Sequence, residues 1–220
     1  MKMKLTSVAI TLLVALFILS VSIAMPIIIR PFYYLHIDAY DIPESTGLSV
    51  EEIKLAYNDM MDYCLGLRSD FSAGKLPFSD EGVAHFDDVR TLFFVDFAVL
   101  IASALLLAAI IVIFKVKKLT PHRFLGRSPQ FWSVASIVGV GSLIGIACAI
   151  DFDGVFEIFH KIFFIGKTNW KFKISKDPII TILPSEFFAN CAIFIFATVI
   201  AISIAIILYE FIPRRKKKIS

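Results

Sequence analysis

At 220 residues, 58% of them hydrophobic, with 22 phenylalanines and a mean hydropathy of +0.80, the chain has too little polar surface to cover a water-soluble globule of its size. Its net charge of +3 is small, and no Walker sequence, Gly-x-Ser-x-Gly elbow or nucleic-acid signature occurs, which argues against nucleotide-driven, serine-hydrolase and nucleic-acid-binding readings. No repeat or low-complexity tract divides it, so one integral membrane domain over 1–220 is expected.

Four uncharged stretches are long enough to cross about 30 Å of hydrocarbon at about 1.5 Å per residue. The first covers 5–29. It is twice the length of a signal-peptide core and runs past the small residues Ser22-Ile23-Ala24, so it reads as an uncleaved helix. The second is uncharged over 97–114 and is expected to begin earlier, giving a helix over 91–114 that places Asp96 in the outer half of the membrane. The third and fourth cover 128–150 and 187–209. Positive residues near helix ends stay in the cytoplasm. Lys2, Lys4, the loop from Lys115 to Arg127 and the tail Arg214, Arg215, Lys216, Lys217, Lys218 together hold 12 of the 22 cations, so both termini are expected inside. The segment 30–90 has 12 acidic residues against 5 basic, and 151–186 has 5 of each; both are assigned to the outside of the cell membrane. The fold class expected is therefore an all-α membrane protein, a four-transmembrane-helix bundle with two extracytoplasmic segments of amphipathic helices plus a short β-hairpin.

In the first outer segment Ser49 with Glu52 forms a capping box that starts a helix. Val50, Ile53, Tyr57, Met60 and Cys64 give that helix one apolar face, expected on the outer leaflet. Ser79 or Asp80 starts a second helix that runs into the membrane. In the second outer segment Trp170-Lys171-Phe172-Lys173-Ile174 alternates apolar and cationic residues, the period of a strand, which is the source of the hairpin expectation. Gly141 and Gly145 form a small-xxx-small pair for close helix packing. Cys64, Cys148 and Cys191 are far apart and offer neither a disulfide framework nor a CxxC pair.

Chemistry is sought in the outer segments. His85 lies one to two turns above the second span, with Asp88 three residues on; His160 is set among Phe156, Phe159, Phe163 and Phe164. Two imidazoles at the depth of lipid ester bonds suit proton transfer, because histidine exchanges a proton near operating pH. The same residues also suit simple interfacial hydrogen bonding. A metal site from His85, Asp87, Asp88 and His160 is a third reading, though no dense ligand motif supports it. Asp96 is expected to fix the bundle by pairing with Asn190 or a third-helix hydroxyl.

The run Phe78-Ser79-Asp80-Glu81-Gly82-Val83-Ala84-His85-Phe86-Asp87-Asp88-Val89 resembles a Phe-Ser, then His-x-x-Asp-Val pattern. Phe159-His160-Lys161-Ile162-Phe163-Phe164, Asn169-Trp170-Lys171-Phe172 and Ile182-Leu183-Pro184-Ser185-Glu186-Phe187-Phe188 resemble the second outer loop of the same proteins. The family is the lipoprotein intramolecular transacylases of Gram-positive bacteria, whose members commonly carry Met where this chain has Phe86. The resemblance implies an acyltransferase that takes a diacylglyceryl lipoprotein and moves its sn-2 acyl chain onto the α-amino group of the N-terminal cysteine. It implies His85 and His160 as the essential histidines; on chemical grounds Asp88 is expected to orient His85, and Asn169 and Trp170 to support the substrate head group. It requires no cofactor or metal, and the partners expected are the lipoprotein and membrane lipid, with the protein a monomer. Two rivals remain at this stage: a non-catalytic membrane scaffold or regulator, and a metal-dependent lipid hydrolase.

Overall fold

The computed structural model describes residues 2–211; the basic tail Arg214 to Lys218 lies outside the described residues. Among the described residues the chain forms α1 (Lys2–Ile28), α2 (Arg30–Ala39), α3 (Ile42–Thr46), α4 (Val50–Cys64), α5 (Asp80–Val116), α6 (Pro129–Ile150), α7 (Phe152–Phe163), a 3-10 turn (Pro178–Ile182) and α8 (Ser185–Phe211). Helices α1, α5, α6 and α8 are long and apolar enough to cross a membrane.

Helix α1 is the axis of the bundle, packing on α5, α6 and α8, while α6 also packs on α8. Small hydroxyl residues let the helices approach and satisfy their polar atoms against backbone. Ser133 of α6 is fully buried and donates to the Thr11 carbonyl of α1 at 2.7 Å. Ser22 donates to the Ile18 carbonyl within α1, also at 2.7 Å. The glycine pair of α6 acts only in part as expected. A Cβ at Gly141 would lie 3.2 Å from the Phe196 ring of α8, so that glycine does permit a close approach, but Gly145 faces open space.

Helix α5 has 37 residues, about 55 Å of helix, where a bilayer core needs about 20 residues. Its first eleven residues, 80–90, carry Asp80, Glu81, Asp87, Asp88 and Arg90. They stand clear of the apolar stretch that follows, and His85 is among them.

Over that end of the bundle a second core is assembled from α2, α3, α4 and the 3-10 turn. Ser49 caps α4 through the capping box read from the sequence, its Oγ accepting from the Glu52 amide at 3.3 Å while the Ser49 amide donates to the Glu52 carboxylate at 3.0 Å. The apolar face of α4 does not lie on a lipid surface as expected. Ile53, Tyr57, Met60 and Cys64 are buried in protein, packed with Tyr33 and Ile37 of α2 and with Ile179 and Ile182 of the 3-10 turn. An amphipathic face cannot distinguish lipid from a protein partner, because both remove it from water. The Tyr33 and Tyr57 rings stack with centroids 3.7 Å apart, and the Tyr33 hydroxyl donates to the Ile182 carbonyl at 2.7 Å.

That bond ties the first interhelical segment to the second across 149 residues. Tyr33→Phe keeps the ring stack but strands a buried carbonyl, which costs about 1–3 kcal/mol. The variant is expected to melt several degrees below the parent in detergent, and an unchanged melting temperature would refute this account of the junction.

Candidate active site

The start of α5 sets the height of His85. Ser79 caps the helix, accepting the Gly82 amide at 3.1 Å. Asp177, from the segment after α7, closes over this cap: its carboxylate accepts the Ser79 amide at 2.7 Å and the Ser79 hydroxyl at 2.8 Å. Asp177 is only 3% exposed. A buried carboxylate needs such donors, and the positive end of a helix is a favourable place for it. Gly82 is the residue that lets Asp177 in, since a Cβ there would lie 2.9 Å from the Asp177 Cγ and 3.4 Å from the Phe172 ring. Neither Asp177 nor Gly82 stood out in the sequence. Asp-Pro reads as an ordinary turn, and only its pairing with a Ser-x-x-Gly cap 98 residues away gives it meaning.

One turn of helix beyond Gly82, His85 is buried with Phe164 and Phe172 edge-on at 5.0 and 5.2 Å. His160, on the last turns of α7, is also buried, with Phe156 edge-on at 4.4 Å and the Trp170 indole stacked at 4.8 Å. The two imidazoles from separate segments do meet. Their centroids are 6.0 Å apart and their planes differ by 28°. His36 and His122 take no part in the pair; His36 bonds the Phe32 carbonyl in its own helix and His122 is exposed.

The tautomer of His160 follows from its partner. Nδ1 lies 2.7 Å from the Phe156 carbonyl, which can only accept, so Nδ1 carries the proton and Nε2 the free lone pair. His85 differs, because its Nδ1 is buried with no hydrogen-bond partner in the protein. Burial lowers the pKa of His85 to about 4, assisted by the neighbouring His160 and Lys167 and partly opposed by Asp88. Burial likewise lowers His160, partly offset by its bond to the Phe156 carbonyl. Both rings are therefore neutral near pH 7 and hold a lone pair.

Asp88 does not hydrogen-bond His85. Its carboxylate accepts from the Lys167 ammonium and, at 3.1 Å, from the Asn169 amide. Lys167 in turn accepts the Trp170 indole N–H on its carbonyl at 3.1 Å. Asp88 thus fastens the loop that lays Trp170 on His160. Asn169 retains a buried carbonyl oxygen with no partner.

The hairpin expectation fails at this loop. Among the described residues, 164–177 is a succession of turns, with the Lys171 amide bonded to the Thr168 carbonyl at 3.0 Å and the Lys176 amide to the Lys173 carbonyl at 2.8 Å. Of the alternating residues, Trp170 and Phe172 turn onto the histidines, Lys171 and Lys173 stay in solvent, and Ile174 is exposed as well. The pairing expected of Asp96 is also different. Ser20 of α1 donates to it, its other oxygen is buried without a partner, and Asn190 instead bonds the Tyr40 hydroxyl. Among the described residues no three His, Cys, Asp or Glu side chains converge as a metal site would require.

Fold and site together define an integral membrane protein of four spanning helices, one end of which holds two neutral histidines in an aromatic enclosure. The profile described as lipoprotein intramolecular transacylase Lit matches residues 8–188, and the chain belongs to that family. No curated protein matches it. Among solved structures it is similar to the membrane-integral lipoprotein intramolecular transacylase Lit from Bacillus cereus, with 23% identity, 96% of this chain and 95% of that chain covered, and a TM-score of 0.85. Forms of the same Bacillus cereus protein bearing an H85R or an H85A mutation match with TM-scores of 0.79. At this identity the likeness is one of fold.

A histidine whose pKa falls on folding binds more protons in the unfolded chain, so its contribution to stability is present above pH 6.5 and is lost as pH falls towards 4. For His85 the difference amounts to roughly 3 kcal/mol at the acid end. Melting curves between pH 7.5 and 4.5 are expected to show a steeper acid loss in the parent than in His85→Asn. Parallel losses would mean that the ring is not buried neutral.

Proposed function

We propose that the chain is an O-to-N intramolecular transacylase that moves the sn-2 acyl chain of a diacylglyceryl lipoprotein to the α-amino group of its N-terminal cysteine. The product is the N-acyl, S-monoacylglyceryl lyso form. The observation that carries this reading is the meeting of His85 and His160, both buried, at one end of the bundle. Family membership supports the acyl-transfer class.

The substrate carries its own nucleophile and electrophile. Amine nitrogen, Cα, Cβ, sulfur, two glycerol carbons, the ester oxygen and the carbonyl carbon close an eight-membered ring on attack, so the entropy of encounter is already met. One imidazole takes a proton from the attacking amine as the C–N bond forms. A proton is returned to the glycerol oxygen as the C–O bond breaks. His85, with an unpartnered Nδ1, is assigned the base role; His160, through Nε2, hydrogen-bonds the developing oxyanion in its protonated form or returns the proton to the leaving oxygen. The two roles are interchangeable by symmetry of the chemistry. Asp88 acts on His160 through Asn169, Lys167 and Trp170, and the unpartnered Asn169 carbonyl oxygen is assigned to accept from the substrate ammonium.

The histidine end faces outward in this reading, because the loop between α5 and α6 holds Lys115, Lys117, Lys118, Arg123 and Arg127 without an acid while 30–90 is acidic. The chain is then a single domain of a bacterial cell membrane with both termini inside, acting as a monomer on lipoprotein substrates.

Mass spectrometry of the N-terminal lipopeptide of a diacyl lipoprotein tests the reaction. The parent protein should leave total mass unchanged while fragmentation places one acyl chain on nitrogen, and His85→Asn and His160→Asn should each abolish this. Asp88→Ala should lower turnover by one to two orders of magnitude, as loss of ordering of an acid–base group does, with Asp88→Asn recovering part of it through the Lys167 and Asn169 contacts. Release of free fatty acid would identify a hydrolase, and retention of full activity by both histidine variants would leave a structural role.

A further inference from the structure

At the opposite end of the bundle, α5 packs along α1 and leaves a cleft of about 760 Å³ between itself and α8, floored by α1. Val14 and Phe17 form the floor, Ile110 and Phe114 one wall, and Ile202 and Ile206 the other. Its mouth is different in kind. Lys115 and Lys118 line it there, both exposed, and among the described residues neither forms an ion pair. Two of the neighbouring cations are engaged elsewhere: Arg123 reaches Glu210 at 3.6 Å, and Arg127 lies over the Phe131 and Phe211 rings, while the exposed Lys117 does not line the cleft.

The cleft cannot serve the substrate held at the histidines. Along α5, Phe114 is 29 residues from His85, about 43 Å by helical rise and more than the thickness of a bilayer core. An acyl chain descending from the histidine end stops near the midplane. A chain that fills this cleft must enter from the other leaflet, with its head group at Lys115 and Lys118.

We infer that the cleft is a binding site for one anionic glycerophospholipid of the leaflet opposite the histidines, an acyl chain lying between α5 and α8 and the phosphate between the two lysines. An apolar cleft of this volume accommodates a lipid chain, and a mouth with two unpaired ammonium groups selects a net-negative head group over a zwitterionic one. The tail after α8 is a poor rival occupant, since Arg214 to Lys218 repeat the charge of the mouth. The site is independent of the acyl-transfer reading.

The test uses the full-length protein in zwitterionic detergent, stripped of lipid and offered equal amounts of phosphatidylglycerol and phosphatidylcholine of one chain composition, with native mass spectrometry as the readout. One phosphatidylglycerol is expected to be retained with a preference of roughly thirty-fold, which is what two lysines provide at the usual strength of a basic residue near an anionic membrane surface. K115Q/K118Q, altered only at exposed positions, should bring the preference close to one, and Ile110→Trp should expel both lipids by filling the cleft. A ratio near one in the parent, an undiminished ratio in the double variant, or a graded series of lipids without a dominant single adduct would overturn the assignment.

Discussion

Asp177 places a carboxylate in the interior of the assembly, and its oxygens accept both the amide and the hydroxyl hydrogen of Ser79. The rest of the histidine end depends on this contact. It holds the segment after α7 against the first turn of α5, so Phe172 reaches His85 from one side while α7 brings His160 from the other. Removing water from a carboxylate costs several kcal/mol unless donors replace it, and here the amide and hydroxyl of Ser79 at the α5 cap replace it. The contact therefore fixes a register as well as a distance. Gly82 has no side chain because the carboxylate occupies the space that one would need.

The electrostatic character of the two histidines comes from their surroundings more than from any partner. In many acid–base pairs a carboxylate holds the imidazole and favours its charged form. Here the nearest carboxylate on the helix, Asp88, is committed to Lys167 and Asn169, and rings of phenylalanine and tryptophan surround the imidazoles. Such an enclosure favours the neutral base and gives any charge formed during reaction little solvent screening.

The membrane helices were legible in the sequence because an uncharged run of twenty residues has few other uses, and α1, α6 and α8 begin and end within a few residues of their apolar runs. The caps at Ser49 and Ser79 were legible for a local reason, a side chain three residues from the amide it accepts. Whatever depended on distant partners was not. The face of α4 could be read as apolar but not as buried in protein, and the Trp170 to Ile174 alternation had the period of a strand although the chain there is a run of turns. Trp170 and Phe172 find cover in a turn-rich loop over an aromatic centre as they would on a strand, whereas Ile174, the third apolar position of the pattern, stays exposed. His85 and His160 were identifiable by residue type and neighbourhood, whereas Asp177 and the Ser20 to Asp96 pair needed coordinates, because each joins positions with no common local pattern.

The chain order of this junction has a further consequence for biosynthesis. Ser79 and His85 are made long before Phe164, Phe172 and Asp177, and a chain synthesised at about 5–20 residues per second leaves them without those partners for several seconds. During that interval His85 is an ordinary solvated imidazole on a helix capped by Ser79 alone. Its neutral, enclosed state is acquired only when the segment after α7 arrives, so the centre is assembled near the end of translation and a nascent chain that has inserted only α1 and α5 does not contain it.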